Sequence, residues 1–216
     1  MDYYTIKKES SAQYEEKKSI FIATTKCINT EENAKDFINT IKTRNKEARH
    51  NVYAYAIGSN MDIQRMSDDG EPQGTGGMPV LQVIKKSQLT DVIIVVTRYF
   101  GGILLGSAGL CRAYGKAASE AIKNAQIVEK ILGCKLIITI DYEFLGKIQF
   151  LFHQNNWQIN KVDYTDKIKL HTICQLYEIQ VIEIAIINLT SNKCFFQKMD
   201  ERYYFKENNT FFEVLN

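Results

Sequence analysis

Both prolines and eight of the twelve glycines of this 216-residue chain fall between Gly70 and Gly109. Gly releases the backbone and permits close approach of another segment, whereas Pro ends regular elements. Elsewhere the chain has few such breakers and can build long elements. The breakers are mixed with acids, arginines and aromatics, in Asp68 to Pro79 and in Thr97 to Tyr114. That mixture points to a site rather than to plain turns.

The flanking sequence reads as alternating strands and helices. Ser19 to Thr25 suits a strand. Residues 31–47 suit a helix, with Ala34, Phe37, Ile38 and Ile41 at helical spacing and Thr30 as N-cap. Asn51 to Ile57 suits a strand covered on both faces, with Met61 to Met66 as its hairpin partner. Asp68 to Gly77 reads as loop, and Pro79 opens a short helix to Lys85. The apolar run Asp91 to Thr97 reads as a central strand, with Arg98 at its end. Ser107 would cap a helix from Ala108 to Asn124. Its stripe Leu110, Ala113, Ala117 and Ala121 would pack on a sheet, and Arg112, Lys116, Ser119 and Lys123 form a separate polar stripe.

A second unit starts at Gly133, which divides the chain into residues 1–132 and 133–216. Strand-like Cys134 to Ile140 is followed by a helix over Tyr142 to Asn155. Two strands follow, Trp157 to Tyr164 and Lys167 to Cys174. Leu176 to Leu189 has helical spacing but strand-like Ile content, and Lys193 to Lys198 suits a last strand. The order β-α-β-β-α-β is ferredoxin-like, so the class is α+β.

A net charge of +2 supplies no global field toward nucleic acid, so any basic surface must be local. No apolar run reaches the roughly 20 residues of a membrane span. The start Met1-Asp2-Tyr3-Tyr4 lacks an apolar signal core, and a cytoplasmic protein without a membrane partner is expected. Five cysteines without a C-x-x-C pair give neither a disulfide framework nor a zinc site.

Asp68, Asp69 and Glu71 could hold a hard cation or supply a base. The favoured reading is that they cap nearby amides or pair with Arg98 and Arg112, because Asp and Gly are common turn residues for backbone reasons. Gly74 and Thr75 lie in a Gly-rich loop that lacks the P-loop order. Gly101, Gly102, Gly106 and Ser107 lie between a strand and a helix start, where an anion or a tightly packed turn would fit. Arg49, His50, Arg98, Tyr99, Arg112 and Lys116 complete the candidate binding set, because Arg recognises phosphate and aromatics stack bases. Tyr99 and Phe100 could instead be core. No catalytic residue, cofactor or metal ligand set is assigned.

The stretches Asp68 to Pro79, Thr97 to Gly106 and Arg112-Ala113-Tyr114 resemble the signature of the IMPACT/YigZ family. Lys18 to Ala23 and Ala48 to Tyr55 fit its upstream motifs. The resemblance implies an N-terminal domain like domain IV of elongation factor G and a C-terminal domain like the last domain of that factor. It also implies a non-catalytic protein linked to translation, since eukaryotic relatives regulate the response to amino-acid starvation through protein contacts. The expected partner is RNA, the ribosome or a protein of the translation apparatus. An enzyme acting on a phosphorylated small molecule, with magnesium on the acidic loop, is the alternative. Leu104 stands where the family often has Lys, and Val52 where it often has Cys. The oligomeric state is not fixed by the sequence.

Overall fold

The computed structural model describes residues 2–208 and 210–214. The chain divides into two compact units, residues 3–128 and residues 129–216, with residues 1–2 assigned to the latter. The class is α+β.

The first unit contains β1 (Tyr3–Ile6), β2 (Ser10–Glu16), β3 (Ser19–Cys27), α1 (Glu31–Arg44), β4 (His50–Ile57), β5 (Ile63–Ser67), α2 (Gly77–Lys86), β6 (Val92–Tyr99) and α3 (Gly106–Asn124). Its sheet has the order β2-β3-β6-β4-β5, antiparallel throughout. β6 is central, and every residue from Val92 to Arg98 is buried. The cause is cover on both faces. Val92, Ile94 and Val96 pack in the same core as α2 and α3, whereas Ile93 and Val95 pack with α1. A strand buried on two sides needs no polar alternation, hence its continuous β-branched run.

Thr30 caps α1, its hydroxyl accepting the Asn33 amide at 3.1 Å. The helix ends at Arg44, three residues before the expected limit. Helix α3 buries Ala113, Ala117, Ala118 and Ala121, small side chains that let its backbone lie close to the sheet. Ser107 is not its cap. The helix starts at Gly106, with Leu105 at the N-cap and no side-chain cap.

Strands β1 and β2 have weak sequence signals. β2 is a polar edge strand, and the β2–β3 turn is Lys17-Lys18, both in the left-handed region with φ of 45° and 64°. Such turns usually carry Asn-Gly, so Lys-Lys gives no hairpin signal.

The second unit contains β7 (Ile127–Ile140), a 3-10 turn (Tyr142–Phe144), α4 (Leu145–Gln154), β8 (Lys161–Tyr164), β9 (Ile168–Gln175), α5 (Leu176–Thr190), β10 (Cys194–Glu207) and β11 (Thr210–Glu213). The order β11-β10-β7-β9-β8 contains the β-α-β-β-α-β pattern, with β11 added at an edge. Cys134, Leu136, Ile138 and Ile140 of β7 pack with both helices. Leu176 to Thr190 is helical because Ile179, Ile182 and Ile186 share its buried face, and Glu178 accepts the Gln175 amide at 2.9 Å. Cys134 and Cys174 are buried free thiols, and burial pushes the Cys174 thiol up to about 12.

Candidate functional site

The loop after β5 folds around its own acids. Asp68 accepts three backbone amides: Gly74 at 2.8 Å, Gly76 at 2.9 Å and Gly77 at 2.8 Å. Gly76 and Gly77 form the start of α2, where unpaired N–H groups and the helix dipole favour a negative charge. The carboxylate therefore sits where a bound phosphate would sit. Burial raises the Asp68 pKa, but the amides of Gly74, Gly77 and Gly76 outweigh it and hold the carboxyl below the usual range. Thr75 is buried, and its hydroxyl donates to the Pro72 carbonyl at 2.6 Å.

Asp69 turns the other way, at φ 44°. Its carboxylate accepts the Asn51 amide at 2.7 Å and pairs with Lys42 of α1 at 2.7 Å. Its carbonyl lies 2.9 Å from His50 Nδ1. A carbonyl can only accept, so Nδ1 carries the proton and His50 is a brace for the loop. Neither Lys42 nor Asn51 stood out in the sequence, since their roles depend on pairings between distant segments.

Glu71 points into the protein. Its Oε1 accepts from Arg98 Nη1 at 2.7 Å and from the Tyr114 hydroxyl at 2.7 Å. Glu71 and Arg98 are both more than nine-tenths buried, and Tyr114 is fully buried. The guanidinium carbon lies 5.5 Å from the ring centroids of Phe21 and Phe100, a cation–π sandwich. Burial, followed by the Glu71 charge, raises the Tyr114 hydroxyl pKa. Arg98 Nε is buried without a hydrogen-bond partner. Of the two roles the sequence left open for Arg98, contact with a partner or pairing with the acidic loop, the structure shows the second: Arg98 is a buried strut linking β6, the acidic loop and α3. Tyr99 is half-buried and donates to Asn45 at 2.9 Å.

Gly101 lies against the turn between β2 and β3, and its amide donates to Ser19 Oγ at 3.1 Å. A methyl group at this position would collide with the Lys18 carbonyl group and the Ser19 amide. Gly101→Ala is expected to destabilise the unit by about 2–3 kcal/mol. The denaturant midpoint of the variant checks this; an unchanged midpoint would show that the loop can shift aside.

A different set faces solvent: Arg49, Gly74, Gly102, Gly106, Ser107, Arg112 and Lys116. Gly102 and Gly106 have φ of 84° and 70°, which shape the loop between β6 and α3. Lys116 pairs with Glu120 at 3.0 Å, one turn along α3. The same loop carries exposed apolar side chains: Phe100, for which a place in the core was one alternative, is 52% exposed, Ile103 43% and Leu104 83%. The candidate set therefore separates into an inward frame and an outward rim. Among the described residues no group of three acids, histidines or cysteines is placed to hold a metal ion.

The chain matches the Impact N-terminal domain over residues 17–122 and a domain of unknown function, DUF1949, over residues 138–193. IMPACT family member YvyE of Bacillus subtilis is 39% identical over 191 residues, 88% of each chain. YigZ of Escherichia coli is 36% identical over 150 residues, covering 68% of this chain and 74% of the relative. A Protein IMPACT homolog of Dictyostelium discoideum is 37% identical over 94 residues, 42% of this chain and 27% of that one. A crystal structure described as that of a hypothetical protein superposes with a TM-score of 0.61 at 27% identity, covering 93% of this chain and 98% of the other. The matched N-terminal segment contains the acidic loop, the Glu71–Arg98–Tyr114 group and the exposed rim, and on the identity to YvyE over most of both chains this protein belongs to the IMPACT family.

Proposed function

We propose that this protein is a non-catalytic, translation-linked binding protein. It meets RNA, the ribosome or a protein of the translation apparatus through the loop Phe100 to Leu105 and the outer face of α3. One observation carries this reading: the signature acids are spent on internal bonds, while the large side chains beside them face out. Asp68 uses one oxygen for Gly74 and the other for Gly76 and Gly77. Asp69 uses one for Lys42 and one for Asn51. A general base needs an oxygen directed at a substrate and a magnesium ligand one directed at the ion, whereas each of these four is already engaged by a donor of the protein. Outside this frame stand Leu104 and Phe100 with the cations Arg112 and Lys116. Exposed apolar side chains beside Arg are a usual composition for a contact surface. Family membership, which includes eukaryotic IMPACT proteins, supports the link to translation.

The test is co-sedimentation of the full chain with ribosomes across a salt series. Binding that weakens steeply with salt is expected for contact with RNA phosphates, and binding nearly flat in salt for contact with ribosomal protein. No pelleting at any salt, together with a thermal shift on adding magnesium and a nucleotide, would replace this reading with the enzymatic one.

A further inference from the structure

The second unit carries a sheet face that is buried at Ile173 and His171 but open around Thr139 and Phe195. Helices α4 and α5 pack on one face of this sheet, with Leu136, Ile138 and Ile140 of β7. The alternate residues, Lys135, Ile137 and Thr139, face the other way and are only half-buried. In register with Thr139 stand Lys169 of β9 and Phe195 of β10. The neighbouring row holds His171, Ile137 and Gln197. Phe195 is 67% exposed. It borders a cleft of about 450 Å³ lined also by Thr139, Asp141, Lys167, Lys193 and Cys194.

Charge on this face favours an anion. Asp141 is paired with Lys167 at 3.0 Å, and Asp163 with Lys161 at 2.7 Å and His171 at 2.8 Å. Lys135, Lys169 and Lys193 have no acidic partner among the described residues. An exposed ring with one free cation two residues before it in the chain and another two strands away suits a chain that alternates planar groups with negative charges. An acidic peptide would use the lysines and leave the ring idle. A duplex would keep its bases out of reach.

We infer that the open face of the C-terminal sheet binds single-stranded nucleic acid, with a base stacked on Phe195 and phosphates on Lys169 and Lys193. Every base has a π-face, so stacking tolerates sequence. The inference goes beyond the proposed function and uses residues of the other unit.

The test is fluorescence anisotropy of the full chain with labelled oligo-uridylate and oligo-adenylate, across a salt series. Phe195→Ala is expected to weaken binding about tenfold or more, with Phe195→Tyr close to wild type, because the ring alone is at issue. Lys169→Gln/Lys193→Gln is expected to lower the slope of log affinity against log salt by about 1.4. All three side chains are exposed, so the fold should persist. Lys85→Ala/Lys86→Ala, at the exposed end of α2 and outside both proposed surfaces, is expected to bind the oligonucleotides like wild type. No binding by wild type at about 100 μM protein in low salt would overturn the inference. So would equal binding by Phe195→Ala, competition by polyglutamate as strong as by the oligonucleotide, or loss of binding in the α2 variant.

Discussion

Glu71→Ala is expected to destabilise the N-terminal unit by about 3–5 kcal/mol, the usual cost of removing one partner from a buried ion pair. The loss has two parts. Arg98 would keep its charge at 7% exposure without its carboxylate, and the Tyr114 hydroxyl would lose its acceptor. The pair itself is a poor source of net stability, because desolvation offsets most of its attraction. Replacing both partners with apolar side chains, Glu71→Leu with Arg98→Met, should therefore cost less than Glu71→Ala alone. Amide exchange of β6 peptides under increasing denaturant measures both, since that strand lies at the centre of the sheet. A change below 1 kcal/mol for Glu71→Ala would mean that the group is not the strut described here.

Asp68→Ala should be the next largest, at about 3 kcal/mol near neutral pH. Three amides lose a charged acceptor, and bonds to charged groups contribute about 1.5–3 kcal/mol each without adding fully. Its pH dependence is specific. The folded-state pKa lies below the usual carboxylate value. The charge therefore contributes fully above the unfolded value of about 3.9, and its contribution is lost as pH falls through the folded value. The stability gap between wild type and Asp68→Ala should be constant from neutrality down to about pH 5 and narrow below pH 4. A gap that widens in acid would contradict the assignment of Asp68 as the ionised cap of α2.

The elements most legible in the sequence are those whose burial has a clear period. Ala34, Phe37, Ile38 and Ile41 gave α1, and the run from Val92 to Val96 gave the central strand. β2 was illegible because an edge strand keeps polar residues and its turn is closed by lysines. α5 was ambiguous because its outer face is also apolar, with Tyr177, Val181 and Ile184 exposed, which blurs the helical period. At the site, the residue types were legible but their directions were not. Arg98 follows six buried apolar or hydroxyl residues, and the same run carries it inward. Whether Asp68 holds a ligand or its own loop depends on bonds to glycines six to nine residues away. Leu104 stood out only as a departure from the family's frequent Lys; its outward direction was not legible, because an apolar residue in a Gly-rich loop normally reads as packing, and here it is the most exposed large apolar side chain described in the unit.

The most direct test of the account is ribosome co-sedimentation of wild type beside Leu104→Ser/Arg112→Ala, two outward substitutions that leave the buried frame intact. Binding by wild type, with at least a tenfold loss in the variant at unchanged thermal stability, is the expected result, equivalent to about 1.4 kcal/mol at the contact. Equal binding by the two proteins would contradict it and remove the rim from the binding surface.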